Sequence, residues 1–161
     1  MKFPRVIRLD GSDPRVYTLA AEPGEPAVTG TFAFADADPE SLSHAERLAF
    51  AGGWLGTESF GRATLVEVAE IAEADFFQAV ERLARHFVDA YGAPSLTEAL
   101  PVAREECDYA AGLCEHPVHT LLAIEREPSE EGVRERIKVI QPSRAEEHAK
   151  IWELGEDEDG S

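Results

Sequence analysis

Phe76, Val80, Leu83, Phe87 and Tyr91 recur at steps of three and four, the spacing that lines one face of an α-helix. The pattern predicts a helix over residues 75–91, stopped by Gly92 with Pro94 just beyond. Glu81 and Arg85 stand four apart on the other face, in the favourable order for an exposed pair. A second helix, 95–113, carries the stripe Leu96, Leu100, Ala103, Cys107, Ala110 and Cys114. Most of these residues are small, which implies close approach to a neighbouring helix or sheet. Pro101 is expected to kink or restart this helix. Helix starts are well marked: Asp38-Pro39 offers a cap followed by proline. Ser43 with Glu46, Ser95 with Glu98 and Ser143 with Glu146 have capping-box spacing, and Asp75 with Gln78 repeats it with an amide.

Alternating or β-branched runs predict strands at 5–9, 16–19, 28–35, 63–71, 118–125 and 133–140. The last two flank residues 126–132 (REPSEEG), read as a hairpin loop. In the final strand Val133, Ile137 and Val139 face one way, and Arg134, Arg136 and Lys138 the other. Glu125 and Glu127 on the partner strand are placed to pair with that basic row. The fold class is therefore α+β in a single domain. Its sheet is mostly antiparallel, of five or six strands, with two or three helices packed on one face. Residues 20–31, with two prolines and two glycines, read as an exposed connector. The domain spans 1–154, and 155–161 (GEDEDGS) is an acidic, disordered tail.

Charge narrows the partners. Among 161 residues, 32 acidic against 15 basic side chains give a formal net charge of −17. A chain this acidic repels phosphate backbones and anionic head groups, which excludes nucleic acid and membrane as default partners. No apolar run is long enough to span a bilayer, and the opening residues lack a signal-peptide pattern. The expected compartment is the cytoplasm.

Cys107, Cys114, His116 and His119 form the sharpest chemical cluster, four residues of the types that zinc prefers. No Cys-x-x-Cys knuckle is present, however, and both cysteines fall on the apolar stripe, where free cysteine is usually a small core residue. Seven residues apart on one helix, their Cα atoms stand roughly 10 Å apart at about 1.5 Å per residue. That is too far for a mutual disulfide.

The loop Gly52-Gly53-Trp54-Leu55-Gly56, leading to Ser59-Phe60-Gly61, is the second candidate. Tryptophan among glycines suits a ligand loop or an interface anchor. It equally suits a core plug between a helix end and the next strand. Gly53, Trp54, Leu55, Gly56, Ser59 and Phe60 are the binding candidates. Thr57-Glu58-Ser59-Phe60-Gly61 departs from a nucleophile elbow, because threonine replaces the first glycine and the segment precedes a strand. Glycine-rich phosphate loops are absent from the sequence.

Residues 32–68 resemble an uncharacterised family of small bacterial proteins of unknown function. Phe32, Phe34, Gly53-Trp54-Leu55-Gly56 and Ser59-Phe60-Gly61 carry the resemblance. It implies a small stand-alone domain and brings no activity or cofactor. The reading is an accessory or interaction protein without catalytic activity or cofactor, binding a protein partner or itself. One alternative is a zinc-binding protein or metal-dependent enzyme built on the Cys/His cluster. Another is a small-molecule module with a pocket between sheet and helices.

Overall fold

The computed structural model describes residues 1–140. The chain runs β1 (Lys2–Ile7), α1 (Asp13–Val16), β2 (Ala27–Val28), α2 (His44–Gly52), β3 (Trp54–Gly56) and β4 (Arg62–Ala63). It continues through β5 (Leu65–Glu70), α3 (Glu73–Tyr91), α4 (Leu96–Gly112), β6 (Leu121–Ser129) and β7 (Gly132–Ile140). Two 3-10 turns, Thr31–Phe34 and Pro39–Ser41, lie between β2 and α2.

Capping chemistry sets the helix starts. Ser43 Oγ accepts the Glu46 N–H at 3.1 Å while the Glu46 carboxylate accepts the Ser43 N–H at 2.8 Å, a complete capping box for α2. Ser95 Oγ accepts the Glu98 N–H at 3.1 Å and opens α4. Asp38 accepts the Glu40 N–H at 3.1 Å but starts only a 3-10 turn. The Asp75–Gln78 cap does not form, because α3 begins after Ala72 and Asp75 already lies in its first turn. There, with Glu73, its charge meets the positive end of the helix. Gly92 ends α3 at φ 74°, a left-handed conformation that favours glycine. Pro101 lies within α4 without ending it. Ser143, Glu146 and the acidic tail lie outside the described residues.

The class is α+β, with the strands divided between two antiparallel sheets of order β1-β5-β6-β7 and β2-β3-β4. The run at 63–71 splits at Thr64, which bonds the buried Asp13 through its hydroxyl at 2.8 Å. Ala63 closes one sheet and Leu65 opens the other. Residues 16–19 are not a strand, since Asp13-Pro14 starts α1. The run at 28–35 stops at Val28, because Gly30 at φ 74° swings the chain into the 3-10 turn. Nor are 126–132 a loop: β6 continues to Ser129, and Glu130-Glu131 with Gly132 at φ 116° make a tight turn. Pro128 is tolerated in β6 because β5 pairs only with Leu121, Leu122 and Ala123.

Two apolar layers hold these elements together. Ala27, Trp54 and Ala63 of the small sheet pack with Val6, Val66 and Leu122 of the large one. The next residues along β2 and β3, Val28 and Leu55, pair with each other on the opposite face and join Phe76, Leu83 and Ala103 of the α3–α4 hairpin. The small sheet is thus sandwiched between the large sheet and the helices. Residues 20–31 are correspondingly not an exposed connector. Ala21, Glu25, Ala27, Val28 and Thr29 are all buried, because this segment feeds β2 into the middle layer. Among the described residues no helix is long and apolar enough to cross a membrane.

Candidate functional site

Arg126 and Glu135 face each other directly across β6 and β7, on the inner side of the sheet. The Arg126 side chain is wholly removed from solvent, so every donor needs a partner. Its guanidinium donates to the carbonyls of Ala49 (3.2 Å), Phe50 (3.1 Å) and Gly53 (3.0 Å), and also to that of Thr29. Ala49 and Phe50 belong to the last turn of α2, where carbonyls run short of helical donors; the Ala49 carbonyl also accepts the Gly53 N–H at 2.8 Å. Nε donates to Thr31 Oγ1 at 2.7 Å and stands 3.9 Å from the Glu135 carboxylate. Glu135 in turn accepts the hydroxyls of Thr31 and Tyr109. Arg126 is a structural clamp, with all three of its nitrogens donating to the protein.

Arg62 is differently placed. From β4 its guanidinium reaches the same Gly53 carbonyl at 3.1 Å and the Gly30 carbonyl at 3.2 Å. A Cβ at Gly30 would lie 2.8 Å from Arg62 Nη1, so only glycine lets the guanidinium settle there. Both guanidinium carbons lie close to the Phe34 ring, at 4.8 Å for Arg62 and 5.4 Å for Arg126. Among the described residues no carboxylate stands within 4 Å of Arg62, while Arg126 has Glu135. Burial, reinforced by the charge of Arg126, lowers the Arg62 pKa to about 10. Burial also brings Arg126 to about 10. Both remain cationic at neutral pH, and of the two only Arg126 has a carboxylate beside it among the described residues.

Arg62 borders a cavity of about 290 Å³ walled by Tyr17, Phe34, Ala45, Ala49, Phe60 and Tyr91. Phe60 holds φ 58°, a left-handed conformation that costs a bulky residue energy. The strain places its ring flat on His86 of α3, with centroids 3.9 Å apart and planes 7° from parallel. The edge of the His86 ring meets Tyr91 at 5.5 Å. Burial holds His86 below its ordinary pKa; Asp89 opposes that shift and Arg62 adds to it. The imidazole is therefore neutral at pH 7. Glu46 also borders the cavity, but its carboxylate is held by the Ser43 N–H.

The glycine-tryptophan segment divides between site and core. Gly53 supplies the carbonyl shared by both arginines, and Phe60 is a pocket wall. Trp54 has no exposed surface and Leu55 is 4% exposed, so they face the two apolar layers rather than solvent. Gly56 and Ser59 belong to a buried carboxylate cradle around Glu25. Glu25 accepts the N–H groups of Glu22 (2.6 Å), Glu58 (2.8 Å) and Ser59 (2.9 Å), and the Ser59 hydroxyl at 2.7 Å. A side chain on Gly56 would collide with that carboxylate.

The zinc-type residues do not converge. Cys107 lies buried in the helix-side layer and Cys114 in the layer between the sheets. Burial pushes their thiols to about 12 and about 11. Lys2 Nζ donates to the His116 backbone carbonyl at 2.6 Å, and the exposed His119 ring bonds Glu67 at 2.8 Å. Among the described residues no three His, Cys, Asp or Glu side chains form a group that could hold a metal ion.

A model of a family of unknown function, DUF6505, matches residues 1–154. The chain belongs to DUF6505. No curated protein and no solved structure matches it. The likeness read at residues 32–68 therefore extends to nearly the whole chain. In this DUF6505 chain the site residues that the sequence reading missed are Glu25, Arg62 and Arg126. One signal for Arg126 was present. The register that pairs Glu125 with Arg136 and Glu127 with Arg134 also sets Arg126 opposite Glu135, once the hairpin turn is short.

Proposed function

We propose that this protein is a binding module that holds a small molecule in the cavity walled by Tyr17, Phe34, Phe60 and Tyr91. The observation that carries the reading is Phe60. A bulky residue kept in a left-handed conformation marks a position that the surrounding fold over-determines, and such positions cluster at ligand clamps. Here the strain builds a flat aromatic wall at the cavity. The volume of about 290 Å³ suits a single small ligand rather than a peptide. The site also sits where the edge of the small sheet meets the ends of α2 and α3, so three elements fix its shape.

A melting-temperature screen against small metabolites tests this, run on the protein and on Ala45→Trp in parallel. Ala45 lines the cavity on α2, so an indole there takes up its volume while Arg62 and the aromatic wall residues keep their identity. A ligand at about a hundred times its Kd adds about 2.7 kcal/mol, or about 5 °C or more for a chain of this size. The expected result is stabilisation that Ala45→Trp abolishes. No stabilising compound, or equal stabilisation of both proteins, overturns the reading.

A further inference from the structure

We infer that the ligand of this cavity is a small organic carboxylate, its acid group on the Arg62 guanidinium and its apolar body among Phe34, Phe60 and Tyr91. The inference rests on the cavity being a ligand site, as argued above, and adds the chemical class. Its first support is a donor count. A guanidinium carries five N–H donors. Arg62 directs one Nη1 and one Nη2 donor to the Gly53 and Gly30 carbonyls. The remaining donors have no protein acceptor among the described residues, and Arg62 borders the cavity. The second support is the local charge. Arg126 has Glu135 across the strand pair, whereas the groups bearing electrostatically on Arg62 are Arg126, Tyr91 and Tyr17. One positive charge is left over, inside a chain whose formal charge is −17. A half-buried cation without a counter-ion is costly, and an entering anion relieves that cost.

The walls select among anions. Planar guanidinium donors match a carboxylate in a two-point fork. A phosphate dianion would need further cationic donors. Apart from Arg62 the lining offers only neutral hydroxyls, of which Tyr17 is engaged with Thr64, and the Glu46 carboxylate would repel a second negative charge. Glu46, the acid that borders the cavity, accepts the Ser43 N–H through one oxygen and stands in no ion pair with Arg62 among the described residues. An aromatic body gains edge and face contacts from Phe60 and Tyr91, with His86 neutral behind them.

Isothermal titration of the full chain with phenylacetate, benzyl alcohol, benzylamine and phenyl phosphate tests the class. Phenylacetate is expected to bind at least about tenfold tighter than each of the others, since a hydrogen bond to a charged group contributes about 1.5–3 kcal/mol. Arg62→Met should lose at least about tenfold, and Arg62→Lys should recover part of that loss. If Arg62→Met fails to fold, the charge series on the unaltered protein decides alone. Benzyl alcohol or benzylamine binding as well as phenylacetate, yet blocked by Ala45→Trp, overturns the carboxylate class and leaves the cavity reading standing. Tighter binding of phenyl phosphate overturns it in favour of a phosphate site. No binding by any of the four, or binding that Ala45→Trp leaves unchanged, overturns both.

Discussion

Glu25 shows how one buried side chain ties distant segments together. Its two oxygens receive four donors, from Glu22 before it and from Glu58 and Ser59 in the turn between β3 and β4. That turn carries Phe60, so the carboxylate indirectly sets the aromatic wall. Glu25→Gln keeps the shape but puts an amide N–H₂ where an oxygen met N–H donors. The expected cost is about 1–3 kcal/mol in urea unfolding, with faster proteolysis at residues 57–61. An unchanged midpoint would contradict the cradle. Little of this was legible in the sequence, where Glu25 lies among prolines and glycines that read as solvent-exposed turn chemistry. What was missing is tertiary: burial of residues 20–31 depends on β2 entering the middle layer.

At the scale of elements, the long helices were readable because each has a complete signal. The α3 stripe is buried at Phe76, Val80, Leu83 and Phe87, Glu81 pairs with Arg85 at 3.5 Å, and Gly92 closes the helix. Tyr91, at 47% exposed, departs from that stripe because it turns toward the cavity. The outer row of the β6–β7 hairpin was readable for the same reason, and Arg134, Arg136 and Lys138 meet Glu127 and Glu125. The short strands were not, since two or three residues cannot display a period of two. Arg126 belongs to this scale, because it fastens β6 to the end of α2. Arg126→Met leaves the Glu135 carboxylate without a counter-ion and takes a charged donor from the Phe50 and Thr29 carbonyls, and is expected to cost about 3–5 kcal/mol. Against a typical total of about 5–15 kcal/mol, that should lower the urea midpoint markedly and reduce the helical circular-dichroism signal. A loss below about 1 kcal/mol would show that α2 does not need the clamp.

Across the whole molecule, the acidic excess and the buried arginines belong to different layers. The negative charge lies mainly on the surface, as at Glu127 and Glu70, where ion pairs contribute little. The two guanidiniums lie at the junction of both sheets with α2, screened from that surface, and among the described residues only Arg126 has a carboxylate within 4 Å. The net charge is therefore a property of the surface, while the interior holds a guanidinium with no carboxylate within 4 Å among the described residues. Those two statements concern different length scales, because solvent and salt damp surface fields within about 10 Å.

The most direct measurement is the NMR resonance of the Arg62 Nε–H, assigned through Arg62→Lys, followed while phenylacetate is added to the full chain. Saturable movement of that signal, with the Arg126 Nε–H far less affected, is the expected result. An Arg62 signal that stays in place at saturating phenylacetate would contradict an anion site at this guanidinium.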